Sequence, residues 1–341
     1  KSYNKPMLNS YWEYAGTRYK NKFRAIDAAN GKYKRITFHS HDNPSFDNYP
    51  WSIEPTLSLK QIQKQRALQL RDTYDYLKLW FSGGADSTTV LNTFIDNDIH
   101  IDEICVYRYS FDDNYTANIG DYEINTYTLP YLKNIQHTIP KTKIKIIDHG
   151  KDYYDTMLSN DKWLFTKSTL SMRHFHIPKI NGKNFCNIFG CNDPLIITDK
   201  GDWYSEIWDQ DAGELVSYRN VEFFFTSINM PELHAKQCHL VKNYLVSNKM
   251  LDNDLKKVKK IIRNIIRDPA IAVEPDFFAK SFIPNETLFL MPKDRFQYKT
   301  ATKEQKSKIK YLFKNATING YVMPNLMTNY RAKQLYLGKG N

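Results

Sequence analysis

The sequence predicts an α/β protein whose core is a doubly wound, mostly parallel sheet of the Rossmann-like type. Short apolar runs typical of buried strands alternate with helical patterns between residues 77 and 190. The first of these runs leads into a turn with two glycines, and a helical segment follows directly. Strands that alternate with helices form parallel βαβ units with right-handed crossovers. We therefore expect a ligand to bind at the carboxyl ends of the strands, where the strand order reverses.

The composition is that of a globular protein. The 341 residues are 41% hydrophobic and 25% charged, which excludes a disordered or collagen-like chain. No stretch reaches the roughly 20 uncharged apolar residues of a membrane span, so we expect no membrane partner. The first residues show no apolar segment of a secretory signal, and 4 cysteines are few for a disulfide framework in a chain of this length. We therefore expect a cytoplasmic protein.

Three regions follow from the pattern along the chain. Residues 1–76 are expected to form an irregular N-terminal extension. It contains a strand-like run at 33–38 and a lead-in helix that begins after Ser58, a residue type favoured at helix N-termini. Residues 77–230 are expected to form the α/β domain, with the glycine turn and a hairpin insertion, and residues 231–341 a helical, basic C-terminal region.

The elements within these regions are expected in a regular order. The four predicted strands of the sheet span residues 77–81, 101–107, 143–148 and 185–190. The predicted helices between them span 90–95, 122–136 with a break near Pro130, 153–165 and 169–175. Residues 195–198 and 203–208 are predicted to form an inserted β-hairpin. Further helices are predicted at 234–246 and at 254–266, the second ended by Asp268 and Pro269.

The turn after the first strand carries the strongest functional signal and reads Ser82-Gly83-Gly84-Ala85-Asp86-Ser87-Thr88. Glycines permit positive φ and leave the backbone accessible to a ligand. At the start of a helix, successive amides point to one place and the helix dipole favours an anion there. The hydroxyls of Ser82, Ser87 and Thr88 add donors. Asp86 would repel a bare phosphate and is better suited to Mg²⁺ bound to that phosphate, so the turn predicts a nucleotide polyphosphate site.

Two common phosphate-binding motifs do not fit this turn. A Walker A loop requires a lysine, which is missing here, and the dinucleotide fingerprint Gly-x-Gly-x-x-Gly is also missing. The run from Ser82 to Ser87 instead resembles the PP-loop of the N-type ATP pyrophosphatases, in the adenine nucleotide alpha-hydrolase-like superfamily. The resemblance covers about residues 77–200 and is specific in the loop and its strand-turn-helix setting.

Members of that family cleave ATP between the α and β phosphates and transfer AMP to an oxygen of a second substrate, from which a nitrogen or sulfur nucleophile displaces it. The resemblance therefore implies ATP and Mg²⁺ as cofactors, with catalysis mainly by positioning and charge neutralisation. It implies that pyrophosphate is held by Ser82, Gly83, Gly84, Ala85, Asp86 and Ser87, with Asp86 also as the Mg²⁺ ligand. It further implies that backbone groups of Val106 and Tyr107, at the end of the second strand, bind adenine.

A second glycine-and-acid segment, Gly190-Cys191-Asn192-Asp193, follows the fourth strand. Many members of the family carry such a segment there, so the resemblance implies that Gly190 contributes to nucleotide binding and Asp193 to the metal site. An ordinary loop turn is the alternative. Lys167 and Arg173, between the third and fourth strands, are candidates to bind the α-phosphate oxygens in catalysis, and plain surface bases are the alternative for both.

The cysteines and histidines give weaker signals. Cys186 and Cys191 are separated by four residues, and some relatives that thiolate tRNA use a cysteine pair, so sulfur transfer is an alternative. A cysteine in a buried strand is more often a small apolar residue. The histidines lack a matching cysteine or glutamate at zinc spacing, so we expect no zinc site at them. They are His39, His41, His174, His176, His234 and His239.

The formal net charge of +11 predicts a surface that attracts polyanions. The predicted helix at 254–266 is basic and amphipathic. Its cations could bind RNA phosphates, or they could form a solvated face while the isoleucines pack on the core. These cations are Lys256, Lys257, Lys259, Lys260 and Arg263.

The leading hypothesis is an ATP-dependent, AMP-forming ligase that adenylates a small carboxylate or amide oxygen for attack by an amine or ammonia. The residues before the loop contain no cysteine for a glutaminase, so ammonia would come free or from a separate donor. One alternative is a tRNA- or nucleobase-modifying enzyme that aminates or thiolates an adenylated base carbonyl. Another is a nucleotide-binding protein without catalysis. The sequence does not specify the acceptor.

Overall fold

The structure is a computed structural model. It describes residues 11–19, 22–30, 32–39, 44–108, 124–148, 184–190, 194–208, 220–249, 265–267, 317–318, 321–322 and 331–339. The helices predicted at 153–165 and 169–175 lie outside these residues, as does most of the helix predicted at 254–266.

The N-terminal extension contains a small antiparallel sheet with one helix. The strands β1 (Tyr11–Tyr14), β2 (Thr17–Tyr19) and β3 (Thr37–His39) are ordered β2-β1-β3, and α1 (Lys22–Ala29) connects β2 to β3. The strand-like run predicted at 33–38 is a 3₁₀ turn followed by β3. The run is therefore only partly extended.

The lead-in helix is confirmed, and its start is fixed by a local hydrogen-bond pattern. After a short helix α2 (Pro44–Asp47), α3 spans Leu59–Thr73 with Ser58 as its N-cap. The amide of Gln61 donates to Ser58 Oγ at 3.3 Å, and the amide of Ser58 donates to Gln61 Oε1 at 2.9 Å. This capping box satisfies two amides that a helix start would otherwise leave without acceptors.

A five-stranded parallel sheet forms the centre of the fold. Its strands are β4 (Tyr76–Trp80), β5 (Glu103–Arg108), β6 (Lys143–Asp148), β7 (Phe185–Phe189) and, after two strands described below, β10 (Val221–Phe223). The order is β10-β7-β4-β5-β6, and all neighbouring strands are parallel. Along the chain, β5 and β6 are added in succession on one side of β4. The later strands β7 and β10 lie on the other side of β4. The strand order therefore reverses between β4 and β7, and a parallel α/β fold of Rossmann-like order is confirmed.

One face of this sheet carries the main apolar core. The helices α4 (Ala85–Asp96) and α5 (Leu129–Ile135), together with α3, pack on Leu77, Leu79 and Ile104. A π-helical turn at Ile124–Thr128 precedes α5. The change from π-helical to α-helical backbone between Thr128 and Leu129 corresponds to the break predicted near Pro130. Alternate residues of each strand point to opposite faces, so the other face carries Lys78, whose Nζ lies 3.3 Å from Glu103 Oε1.

The predicted hairpin is confirmed and belongs to a second sheet. Strands β8 (Leu195–Asp199) and β9 (Asp202–Trp208) pair antiparallel, and β9 also pairs with β13 (Arg331–Lys339). Strands β11 (Thr317–Ile318) and β12 (Tyr321–Val322) form a separate short hairpin. The expectation of a helical C-terminal region is therefore wrong for residues 331–339. Leu335 and Leu337 are buried on one face of β13, an alternation that identifies a strand.

The helix predicted at 234–246 is confirmed as α6 (Pro231–Ser247), which joins the two sheets. Leu233 in its first turn belongs to the core of the parallel sheet. Further along, Cys238, Val241 and Leu245 pack against the second sheet. Within the part of the chain that the structure describes, no helix is both long and apolar enough to cross a bilayer.

Candidate functional site

The glycine loop, residues 82–88, lies where the strand order reverses. It begins after β4 and runs into α4, and the neighbouring strand β7 ends at Phe189, directly before Gly190. In open α/β sheets this position, outside the carboxyl ends of the strands at the switch in strand order, is where ligands bind. The strand, turn and helix predicted around this loop are confirmed.

The loop has a conformation that requires glycine at residue 83. Gly83 has a φ of +79° and is buried. A Cβ at this position would lie 3.2 Å from Thr128 Cα and even closer to Thr128 Oγ1. Thr128, at the end of the π-helical turn, donates from Oγ1 to the Ser82 carbonyl oxygen at 2.8 Å. The turn before α5 therefore supports the loop from behind, a role that sequence analysis did not identify.

The hydroxyls of the loop are used mainly within the loop itself. Ser87 Oγ accepts from the Ser82 amide at 3.2 Å and donates to the Gly84 carbonyl at 3.2 Å. Ser82 Oγ accepts from the Gly84 amide at 3.3 Å. Ser87 is buried, whereas Ser82 is exposed. Thr88 Oγ1 is buried and has no hydrogen-bond partner among the described residues, so a ligand would reach Ser82 more readily than Ser87 or Thr88.

The amino end of α4 presents backbone donors next to this loop. An α-helix leaves its first amides without intrahelical acceptors, and in α4 these belong to Ala85, Asp86 and Ser87. The N-cap Gly84 provides no side-chain cap. Both Gly84 and Ala85 are partly exposed. These amides and the helix dipole make the amino end of α4 favourable for an anion.

Gly190 brings β7 into direct contact with the start of α4. A Cβ on Gly190 would lie 2.9 Å from the carbonyl oxygen of Asp86 and 2.9 Å from Val90 Cγ2. The close approach of these two segments therefore requires glycine at residue 190. The neighbouring site candidates Cys191 and Asp193 lie outside the described residues, so the metal role of Asp193 stays a prediction.

Asp86 forms an ion pair with a cation from the C-terminal part of the chain. Arg267 Nε donates to Asp86 Oδ1 at 2.5 Å, and the Arg267 side chain is only 1% exposed, against 24% for Asp86. Lys167 and Arg173, the cations predicted for this site, lie outside the described residues. Sequence analysis did not single out Arg267, which is 181 residues away from Asp86 along the chain.

Arg267 is held by several groups besides Asp86. Its Nη1 donates to Gln237 Oε1 at 2.6 Å, and its guanidinium lies 3.6 Å from the centre of the Phe225 ring. The preceding Ile266 is buried in the core between α6 and the second sheet. Burial, together with the charge of Arg267, lowers the pKa of His234 to about 4, which keeps this histidine neutral near pH 7.

The residues predicted to bind adenine lie beside the loop at the same edge of the sheet. The last pair between β4 and β5 is Trp80 with Cys105, so β5 extends beyond β4 through Val106 and Tyr107. Both residues also pair with β6. The backbone of this extension lies at the carboxyl edge next to the start of the loop, where the Phe81 amide donates to the Cys105 carbonyl at 2.8 Å.

The chemistry of these residues suits a nucleotide with its magnesium ion, in which the nucleotide itself would supply most of the metal ligands. Among the described residues, no group of three or more histidines, cysteines, aspartates or glutamates could hold a metal ion. Mg²⁺ is commonly bound through one or two carboxylates plus substrate phosphates. Asp86 at the amino end of α4 would supply one carboxylate, and phosphates at the adjacent amides would supply the other ligands.

The cysteines within the described residues are buried. Cys186 lies in the main core, and burial raises the pKa of Cys105 far above its usual range and that of Cys238 to about 12. A thiol in such surroundings is a poor nucleophile. The buried position of Cys186 supports the interpretation as a small apolar residue and gives no support to sulfur transfer.

The basic helix predicted at 254–266 is described only at its end. Residues 265 and 266 are helical and residue 267 is a bend, which agrees with the end predicted before Pro269. Ile266 is buried and Ile265 packs against the same core. The five cations of the predicted helix lie outside the described residues, so RNA binding through them stays a prediction.

No protein-family model matches this chain, and a search of curated proteins finds no match either.

Proposed function

We propose that this protein binds ATP with Mg²⁺ at the glycine loop and cleaves it between the α and β phosphates. In this proposal it acts as an AMP-forming ligase that adenylates an oxygen of a small carboxylate or amide. An amine or ammonia then displaces AMP. The proposal combines the resemblance of the loop to a PP-loop with the setting of that loop in the fold.

One observation carries the proposal: the glycine loop and the amino end of α4 lie at the reversal of strand order, with Gly190 against Asp86. At residue 190 the end of β7 and the start of α4 thereby meet at the carboxyl edge of the sheet without a side chain between their backbones. This arrangement suits a ligand that is recognised through backbone amides, as polyphosphates are.

The chemistry expected of these residues is charge stabilisation. The amides at the start of α4 and the exposed hydroxyl of Ser82 would bind the pyrophosphate that leaves, and so lower the energy of the negative charge that develops there. Magnesium, when bound, neutralises phosphate charge. Asp86 would bind that ion, and the backbone of β5 beyond Cys105 would bind adenine.

The test is product identity with matched variants of two aspartates of α4. We expect the wild-type protein, given ATP, Mg²⁺ and a panel of carboxylates with ammonia, to release AMP and pyrophosphate in equal amounts. Asp86→Ala should abolish this turnover and the Mg²⁺-dependent part of ATP binding measured by calorimetry. Asp96→Ala, at an exposed position in the last turn of α4, should leave both unchanged.

Other products would identify the alternatives. ADP and phosphate would contradict the proposal. ATP binding without any cleavage, with the acceptor panel and with RNA, would identify a nucleotide-binding protein without catalysis. Pyrophosphate release that requires RNA would favour a nucleobase-modifying enzyme. Unchanged ATP affinity in Asp86→Ala would remove Asp86 from the site.

A further inference from the structure

The two carboxylate oxygens of Asp86 have different surroundings. Oδ1 accepts from Arg267 Nε. Oδ2 has no hydrogen-bond or ion-pair partner among the residues that the structure describes. The aspartate is partly exposed while the arginine is not. One oxygen is therefore held from the protein interior, and the other, on a carboxylate that is 24% exposed, is not bonded by any described residue at the amino end of α4.

Arg267 is built into the interior more firmly than a surface counter-ion would be. Gln237 Oε1 accepts from its Nη1, and the Phe225 ring lies against its guanidinium plane. Gln237 is itself fixed, because its Nε2 donates to the carbonyl oxygens of Phe225 and Leu233 at 3.1 Å each. The planar guanidinium thus has a fixed orientation, which a flexible ammonium would not reproduce.

We propose that Arg267 is a positioning residue for the magnesium site: it holds Asp86 by Oδ1 so that Oδ2 can bind the ion that accompanies ATP. This inference rests on the proposed function. It assigns to the C-terminal part of the chain a role in metal binding, through a residue that does not itself contact the ion.

The burial of Arg267 decides between this role and direct phosphate binding. A side chain that is 1% exposed does not reach an incoming phosphate without leaving Asp86, Gln237 and the Phe225 ring. Groups that hydrogen-bond a metal-binding carboxylate fix its orientation, and their loss commonly lowers metal affinity about 10- to 100-fold. An arginine that merely competed with the ion for Asp86 would have the opposite effect, because its removal would strengthen metal binding.

The test measures how much Mg²⁺ strengthens ATP binding, by calorimetry with Mg²⁺ and with EDTA, in wild type, Arg267→Gln and Arg267→Lys. We expect the ratio of the two affinities to fall by about 10- to 100-fold in Arg267→Gln. Arg267→Lys should recover only part of the loss, since lysine keeps the charge without the planar geometry. ATP affinity in EDTA should change much less than the ratio does.

A second ion pair provides the matched control. Arg71 Nη1 lies 2.7 Å from Asp102 Oδ2, and both side chains are partly buried. Asp102 directly precedes β5, at the amino-terminal edge of the sheet and away from the loop. Arg71→Gln should lower the melting temperature without changing the ratio of the ATP affinities measured with Mg²⁺ and with EDTA. A lower ratio in Arg71→Gln as well would show that the ratio reports general loosening, and would overturn the assignment to Arg267.

The outcomes separate this inference from the proposed function. An unchanged or raised ratio in both Arg267 variants, with a lowered ratio in Asp86→Asn, overturns the positioning role alone. If wild-type protein binds no ATP under either condition, the proposed function and the inference fall together. The ion pair itself is tested without ATP by melting temperatures of Arg267→Gln, Asp86→Asn and the double variant, whose shifts should be clearly non-additive.

Discussion

Thr128 and Ser82 are joined by a hydrogen bond that fixes the glycine loop to the turn before α5. Thr128 Oγ1 donates to the Ser82 carbonyl oxygen at 2.8 Å, and Thr128 is completely buried. The same side chain occupies the space into which a Cβ at residue 83 would project. The loop conformation therefore depends on a threonine 46 residues away along the chain.

Removal of this hydroxyl should loosen the loop. In Thr128→Val the shape of the side chain is nearly kept while the Ser82 carbonyl loses its donor, so we expect a loss of about 1 kcal/mol in unfolding free energy. ATP affinity should fall several-fold. The control is Thr138→Val, since Thr138 Oγ1 also donates to a backbone carbonyl, at 2.7 Å, but on the surface. Equal ATP affinities in the two variants would contradict the role of Thr128.

The glycine at residue 83 can be tested against a second glycine with similar backbone geometry. Gly83 and Gly201 have φ values of +79° and +88°, but a Cβ on Gly201 would meet no atom within 4 Å. In urea unfolding we expect Gly201→Ala to lose about 1–2 kcal/mol from backbone strain alone. Gly83→Ala should lose about 1–3 kcal/mol more, because Thr128 must move. Similar losses in both variants would show that the contact with Thr128 is unimportant.

Stability should fall in mild acid because His234 is buried in its neutral form. Its pKa in the folded protein is about 4, below the value of about 6.5 in an unfolded chain. The unfolded state therefore binds the proton first as the pH falls from 6.5 towards 4, and this favours unfolding. The loss that comes from His234 should reach about 2 kcal/mol between pH 7 and pH 5.

Denaturant unfolding of His234→Gln at the two pH values tests this. Glutamine can still bond to Ser205 and Thr226, which contact the imidazole at 3.2 and 3.4 Å. The variant should lose about 2 kcal/mol of the difference between pH 7 and pH 5, and the part that comes from the buried His239, whose pKa is also lowered by burial, should stay. His137→Gln, at an exposed histidine, should keep that difference. A pH dependence unchanged in His234→Gln would mean that His234 is not neutral in the fold.

The helix predicted at 254–266 should contribute packing rather than RNA binding. Its last residues, Ile265 and Ile266, pack on the core between α6 and the second sheet. We expect the double variant Lys256→Glu, Lys260→Glu to change the unfolding free energy by only about half a kcal/mol and to leave ATP binding intact. A filter-binding series over salt concentration checks the alternative. Steeply salt-dependent RNA binding, with a log–log slope that flattens by roughly one to two units in the variant, would contradict this expectation.

The segments that sequence analysis located well are those with local causes. Ser58 begins α3 because its side chain and that of Gln61 satisfy each other's backbone amides three residues apart. Strand β4, the glycine loop and α4 follow one another within 21 residues, Tyr76 to Asp96. A buried strand, a turn that needs positive φ and a helix start each have their own residue requirements, which are readable without knowledge of the rest of the chain.

Strand β10 was missed because its signal depends on a distant partner. It carries Glu222 in its middle, which is unfavourable in a buried strand. In the fold, Glu222 accepts from Arg66 Nη2 at 2.9 Å and from the Tyr74 hydroxyl at 2.8 Å. Both partners lie in or next to α3, about 150 residues earlier. The apolar run around Glu222 was the available signal, but the charge becomes acceptable only once the sheet and α3 have packed together.

By itself, the sequence determined the alternation of parallel strands with helices and the position of the glycine loop, because periodicity, glycine and capping residues act over a few positions. Only the tertiary structure decided that Arg267 is the cation paired with Asp86, that Thr128 supports the loop and that residues 331–339 complete the second sheet. Each of these contacts joins residues far apart in the chain. Their partners are selected by burial and packing, since a buried charge or carbonyl must be paired with whichever group the fold brings beside it.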